Sequence, residues 1–116
     1  MQPSHPLPEP VVELIAERFR VMGEPLRIRI LDRLRQGETS VGDLTSELGA
    51  TQQNISRHLA VLHAAGIVAR RKEGTRVIYA IADESVFALC EAVCGSLQQS
   101  VAELAQILGD TTPTAR

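Results

Sequence analysis

The chain has 116 residues, enough for one domain, and its core must be aliphatic because aromatic residues make up only 3% of the sequence. A hydrophobic content of 44% is ordinary for a globular protein, and no apolar run reaches the roughly 18 residues of a membrane span. The net charge of −2 does not by itself indicate nucleic-acid binding, and with no secretion signal at the N-terminus we expect a cytoplasmic protein.

The two ends of the chain are predicted to be disordered tails. Residues 1–10 hold four of the six prolines, and residues 110–116 continue no periodic pattern. Between them, residues 11–109 are predicted to form one domain.

Two helices open this domain. Apolar residues recur at helical spacing from Val11 to Met22, and Gly23 ends that helix. Pro25 is tolerated in the first turn of a second helix that extends to about Gln36. The second helix is predicted to turn these side chains inward: Leu26, Ile28, Ile30, Leu31 and Leu34.

A helix-turn-helix follows. Ser40 is a plausible N-cap for a helix from Val41 to Leu48, and Thr51 has the same role for a helix from Gln52 to Ala65. The connection is about three residues long and carries Gly49, so the two helices must cross at a steep angle.

The second of these helices begins with an unusual run of polar side chains. Amide, hydroxyl and guanidinium groups both donate to and accept from base edges, which is what a recognition helix needs in the major groove. The residues predicted to contact DNA from this segment are Thr51, Gln52, Gln53, Asn54, Ser56, Arg57 and His58.

A basic β-hairpin is predicted next. The β-prone runs 67–72 and 76–81 are separated by a loop of three residues that contains Gly74. Such a hairpin has the layout of a wing that lies on the DNA backbone; the alternative is a hairpin that only covers the helical core. Its predicted DNA contacts are Arg70, Arg71, Lys72, Thr75 and Arg76.

The distribution of charge supports the DNA-binding interpretation. Residues 52–76 contain five basic residues and one acid, whereas residues 83–115 contain five acids and no lysine or arginine. Affinity for phosphate follows the local field rather than the total charge. A charged surface is nevertheless often only a solvated one.

The chain closes with a long helical pattern from Ser85 to Leu108. Its apolar stripe exceeds what a small domain needs for its own core, which favours pairing with a second copy, together with the first helix; the alternative is packing on its own domain. The stripe comprises Val86, Leu89, Val93, Leu97, Val101, Leu104 and Leu108.

Several strings together resemble the ArsR family of bacterial transcriptional repressors. They are EPLRIRIL at 24–31, Ser56 to Leu59 (S-x-H-L), Leu62 to Val68 (L-x-x-A-G-I-V), and the strand that contains Tyr79. The resemblance implies a mainly α fold with a small β-hairpin, a winged helix-turn-helix. It also implies a homodimer through the terminal helices that binds double-stranded operator DNA and is released by an inducer.

Family members often sense metals, and two common sites can be compared by position. The Cys-x-Cys site before the recognition helix is absent, because that region reads SVGDL. For the site on the terminal helix, Asp83 is a candidate for the first ligand, but Ser85, Ser96 and Gln99 stand where imidazoles are expected. The three histidines, His5, His58 and His63, lie elsewhere, and the last two are better explained by DNA contact or helix packing.

Cys90 and Cys94 are the remaining sensor candidates. They are four residues apart, so both thiols point to one face of the helix. Thiolates select soft ions such as As(III), Cd, Pb, Hg or Cu(I). Oxidation to a disulfide or polysulfide is a second interpretation, and simple packing of two small apolar side chains is a third.

Two other classes of function are alternatives to DNA binding. An enzyme is not supported, because the sequence has no nucleophile elbow, phosphate loop or metalloprotease motif. A winged helix that binds proteins instead of DNA is expected to replace the polar helix start and the basic hairpin, and this chain retains both.

Overall fold

The computed structural model describes residues 4–109, which form five helices and three short strands. In chain order these are α1 (Glu9–Met22), α2 (Pro25–Leu34), β1 (Thr39–Ser40), α3 (Val41–Leu48), α4 (Gln52–Ala64), β2 (Val68–Glu73), β3 (Arg76–Ile81) and α5 (Ser85–Ile107). The predicted class, mainly α with a small hairpin in winged helix-turn-helix order, is confirmed. The chain divides into two compact units, Met1–Asp83 and Glu84–Arg116, which are described separately.

The first helix starts two residues earlier than predicted. Pro8 is its N-cap, with extended backbone at φ −62° and ψ 150°, and Pro10 lies in the first turn. The missing N–H of Pro10 costs nothing there, because first-turn N–H groups have no acceptor within the helix. Residues 9 and 10 are therefore helical rather than part of the predicted tail. Residues 1–3 and 110–116 of the two predicted tails lie outside the described residues.

The two predicted N-caps of the helix-turn-helix are confirmed. The Asp43 amide donates to the Ser40 hydroxyl at 3.1 Å, and the Asn54 amide donates to the Thr51 hydroxyl at 3.1 Å. Gly49 ends α3 in the left-handed region at φ 66°, a conformation that glycine adopts without strain. These local bonds fix where both helices begin and so where α4 presents its first turn.

The sheet has one more strand than the predicted hairpin. Its order is β1-β3-β2, with Thr39 opposite Tyr79 and Ser40 opposite Ile78. Glu73 pairs with Arg76, so the loop is two residues long rather than three. The sheet therefore joins the hairpin directly to the residues that precede α3.

An aliphatic core holds the first unit together. Full burial of one aliphatic side chain contributes about 1.5–3 kcal/mol to the free energy of folding, relative to leaving it exposed. Its fully buried members are Ile30, Leu31, Leu44, Ile55, Leu59, Leu62 and Ile67. Ile28, predicted to face inward, is 43% exposed, because the helical positions of Ile30, Leu31 and Leu34 already fill the inner face of α2. The second helix also ends at Leu34, short of the predicted Gln36.

In the second unit, the 23-residue helix α5 carries an exposed apolar stripe. Leu97 is 60% exposed and Val101 66%, and Val93, Leu104 and Leu108 are also exposed. Within residues 4–109, none of the helices combines the length and apolar character required to cross a bilayer.

Candidate nucleic-acid interface

The start of α4 presents polar side chains to solvent because its apolar residues occupy the opposite face. Ile55, Leu59 and Leu62 are fully buried, so the intervening positions point outward. The exposed residues of this segment are Thr51, Gln52, Gln53, Asn54, Ser56 and Arg57. Each has a hydrogen-bonding side chain, and together they form the outer surface of the first turn and a half.

One exposed pair on α4 is already ordered. The Arg57 guanidinium Nη2 donates to Asn54 Oδ1 at 3.0 Å, across one helical turn. This bond directs the guanidinium along the outer face of the helix and leaves most of its five N–H donors for a ligand. Arg57 is thereby arranged as a donor toward a base edge or a phosphate.

His58 is placed differently from the other predicted DNA contacts. Its side chain is 4% exposed, and its Nδ1 lies 3.0 Å from Nη1 of Arg27. Burial lowers the pKa of His58, and the nearby charges of Arg57 and Arg27 lower it further. Of the two interpretations offered from sequence, helix packing describes this position: the imidazole lies in the core and not on the exposed face.

The wing has two differently charged faces. Successive side chains of a strand alternate, so Arg70 and Lys72 share one face while Arg71 and Glu73 share the other. All four side chains are exposed. Within residues 4–109, neither Arg70 nor Lys72 has an ion pair, so both side chains are available to bind an anionic ligand.

The remaining wing arginines are paired with acids. The Arg71 guanidinium contacts both carboxylate oxygens of Glu38, at 2.7 and 2.8 Å, and Glu73 at 2.9 Å. Arg76 Nη2 lies 3.3 Å from Asp43 Oδ2 in the first turn of α3. The hydrogen bond from Arg71 lowers the pKa of Glu38 and raises that of Arg71.

A cleft of about 630 Å³ lies between the wing and the first turns of α3 and α4. It is lined by Ser40, Val41, Gly42, Gln52, Ser56, Arg70, Arg71, Lys72, Thr75, Arg76, Val77 and Tyr79. Basic side chains and helix N-termini meet in it, and both favour an anionic ligand such as a phosphate.

Seven of the predicted contact residues line this cleft: two on α4 and five on the wing. Thr51, Gln53, Asn54 and Arg57 are exposed beside it, on the outer surface of α4. Ser40, Val41 and Gly42 also line the cleft but are not among the predicted contacts. The sequence signal that could have indicated them is the Ser40 N-cap, because the start of a helix favours an anionic ligand.

The sensor candidates lie in the second unit. Cys90 is half-buried and Cys94 is exposed, and both are free thiols. Asp83, the one acidic residue that matched a family metal site, lies 3.6 Å from the Arg18 guanidinium. Within residues 4–109, His, Cys, Asp and Glu side chains nowhere come together in a group of three that could hold a metal ion.

Comparison with known proteins gives consistent relatives. A family model described as "Bacterial regulatory protein, arsR family" matches residues 24–70. The chain is 37% identical over 103 residues to Rv0081, an uncharacterized HTH-type transcriptional regulator of Mycobacterium tuberculosis, covering 88% of this chain and 90% of that protein. It is 35% identical over 83 residues to the transcriptional repressor SmtB of the same species, covering 70% of this chain and 62% of SmtB.

Solved structures of similar regulators share the fold of this chain. The crystal structure of Rv0081 superposes with a TM-score of 0.75 at 36% identity, covering 84% of this chain and 99% of that one. The homodimeric winged helix-turn-helix DNA-binding domain of Mb0332 from Mycobacterium bovis gives a TM-score of 0.69 at 28% identity, covering 84% and 95%.

The matched segment, residues 24–70, runs from the start of α2 into the wing and includes the whole helix-turn-helix. The relatives are transcriptional regulators and not enzymes. On the extent of the match to Rv0081 and the agreement of the two folds, this chain belongs to the ArsR family of bacterial regulatory proteins.

Proposed function

We propose that the protein is a homodimeric repressor that binds double-stranded operator DNA through α4 and the wing. The observation that carries this proposal is the cleft in which unpaired wing cations face the polar first turn of α4. In this arrangement α4 enters the major groove, and the wing lies along the sugar-phosphate backbone. As a transcription regulator of a bacterial family, it acts in the cytoplasm, where the DNA is.

The base and phosphate contacts divide by position. Gln53, Asn54 and Arg57 lie on the outer surface of α4 and are assigned to base edges or adjacent phosphates. Thr51, Gln52 and Ser56 lie at the start and the cleft side of the helix and are assigned to the nearer backbone. Thr75 and Arg76 complete the cleft from the wing, while His58 is left out because it is buried.

Dimerisation is supported by surfaces that the described chain leaves uncovered. On α5, Leu97 and Val101 are more than half exposed, and on α1 Phe19 is 55% exposed. Exposed apolar stripes of this length mark interaction surfaces. The relative Mb0332 is homodimeric, and two copies related by a two-fold axis would present two α4 helices about one DNA turn, roughly 34 Å, apart.

We further propose that Cys90 and Cys94 respond to a soft ion, such as As(III), Cd, Pb or Hg. The thiols are free, stand one helical turn apart on α5, and one of them is exposed. Two thiolates suffice for a two-coordinate ion, and the second subunit doubles their number. Thiol oxidation is the alternative chemistry, and a pair that only packs makes the protein a regulator without thiol-based sensing.

The decisive experiment measures binding of the purified protein to duplex DNA from upstream of its own gene by fluorescence anisotropy, with an unrelated duplex as competitor. We expect dimeric binding that survives the competitor. A monomeric protein, or one that ignores duplex DNA at low ionic strength, would contradict the proposal and would favour the protein-interaction alternative.

A further inference from the structure

We propose that Arg71 is a positioning residue: through Glu38 it holds the wing, and it does not bind DNA phosphate. Arg70 and Lys72, the two wing cations without an ion pair within the described residues, then make phosphate contacts in its place. This inference rests on the proposed DNA-binding function and changes the role of one residue that the sequence assigned to the DNA backbone.

The Arg71 guanidinium is bound to two carboxylates. Two of its nitrogens meet the two oxygens of Glu38, and a third bond reaches Glu73. A fork-to-fork pair uses the guanidinium in its most favourable arrangement with a carboxylate. An isolated surface ion pair contributes little, but a bidentate pair within a network of three charges is the recognised exception.

The cluster formed by Arg71, Glu38 and Glu73 is negatively charged. Arg71 carries one positive charge and touches two carboxylates, so the cluster has a net charge of −1. The hydrogen bond from Arg71 lowers the pKa of Glu38, so that carboxylate stays ionised to a lower pH than usual. A phosphate that approached Arg71 would meet this negative cluster, whereas within the described residues Arg70 and Lys72 have no ion pair with an acid.

The hydrogen bonds between Arg71 and Glu38 connect the two edges of the sheet. Glu38 immediately precedes β1, and the strand order is β1-β3-β2, so the Arg71–Glu38 pair spans the sheet across β3. It joins residues 33 apart in the sequence. Because Arg70 and Lys72 lie on the opposite face of the same strand, fixing Arg71 on one face sets the direction of those two cations.

The salt dependence of DNA binding separates the two roles. The binding constant K falls as salt is added, and each phosphate contact that is lost makes the slope of log K against log salt concentration shallower by about 0.9. A lower slope here means a shallower one. We expect Arg70→Ala and Lys72→Ala each to lower the slope by about that amount. Arg71→Ala should keep the wild-type slope and weaken binding by the same factor at every KCl concentration.

Three further variants sharpen the result. Glu38→Ala removes a negative charge close to the wing and releases Arg71, so electrostatics alone predicts tighter binding and a steeper slope. Positioning predicts weaker binding with an unchanged slope, and no additional loss when Arg71→Ala is added to Glu38→Ala. Arg71→Lys keeps the charge but cannot form the fork, and it should bind as weakly as Arg71→Ala.

The outcomes distinguish the inference from the function on which it rests. A lower slope for Arg71→Ala, or tighter binding by Glu38→Ala, overturns the positioning role while DNA binding stands. A wild-type protein without salt-dependent duplex binding overturns both. Thermal unfolding of every variant, followed by circular dichroism, identifies any that fails to fold, and Arg71→Lys, the mildest change, then carries the comparison.

Discussion

The Arg27 guanidinium donates a hydrogen bond to Nδ1 of His58 at 3.0 Å, and its Nε donates to the Val21 carbonyl at 2.7 Å. One side chain of α2 therefore ties the C-terminal turn of α1 to the middle of α4. Since arginine always donates, Nδ1 of His58 must accept, which places the proton of the neutral ring on Nε2. Protonation of Nδ1 would break this bond and put a second positive charge beside Arg27.

This relationship predicts how stability depends on pH. Burial and two neighbouring arginines lower the pKa of His58 below its usual 6.5 in the folded protein. Below that pH the unfolded chain takes up the proton first, so stability is complete above about pH 6.5 and is lost as the pH falls toward the folded-state pKa. Urea unfolding across this range should show that loss.

The matched variants for this prediction are His58→Gln and His63→Gln, which make the same substitution on the same helix. The first should flatten the stability profile below pH 6.5, because glutamine accepts from Arg27 without titrating. Should both variants alter the profile equally, His58 is not the responsible group.

Arg57→Ala tests the outer face of α4. If the guanidinium contacts a guanine, the change should cost about 1–3 kcal/mol of binding free energy and relax specificity at one position; if it contacts phosphate, all duplexes should be weakened alike. Anisotropy titrations with operator and unrelated DNA separate these results. The control is Arg29→Ala, an exposed arginine of α2 outside the cleft, and an equal loss in that variant would point to total charge alone.

Leu97→Glu tests dimerisation through α5. A charge in the middle of the apolar stripe would lack a partner once the dimer covers that stripe. Sedimentation should therefore show dissociation toward monomers, and operator binding should weaken as the second half-site is lost. Gln98→Glu introduces the same charge at the next, exposed polar position and should leave the dimer intact. Wild-type association of Leu97→Glu would refute the α5 interface.

Cys90→Ser and Cys94→Ser test the sensor proposal. With As(III), Cd(II) or Hg(II) added to the protein–DNA complex, the wild type should release DNA, and each single variant should remain bound because two thiolates are required. Release by an oxidant alone, reversed by a reductant, would instead establish thiol oxidation. If both variants respond as the wild type does, the cysteines only pack.

The helix-turn-helix was predictable because its signals are local. Caps at Ser40 and Thr51 and a left-handed glycine between the helices fix its bounds within a few residues. Strand β1 was missed, since two residues carry no periodicity. The burial of His58 had a signal, as it lies on the same helical face as Ile55 and Leu62, but its polarity favoured the surface.

The pairing of the wing arginines was beyond sequence reasoning. Arg71 and Arg76 each pair with an acid 33 residues away, and only the sheet brings these residues together. A run of basic residues shows where positive charge is concentrated but not which of its members is already neutralised. The predicted phosphate contacts therefore included arginines that the fold pairs with carboxylates.

Strand β1 is only two residues long, yet it ends where α3 begins and pairs with the central strand of the wing. A twist applied at the hairpin tip is thus transmitted to the first residue of the helix-turn-helix without an intervening hinge. We therefore expect the hairpin and the helix-turn-helix to move together, and under the proposed function a signal would change their common orientation on DNA.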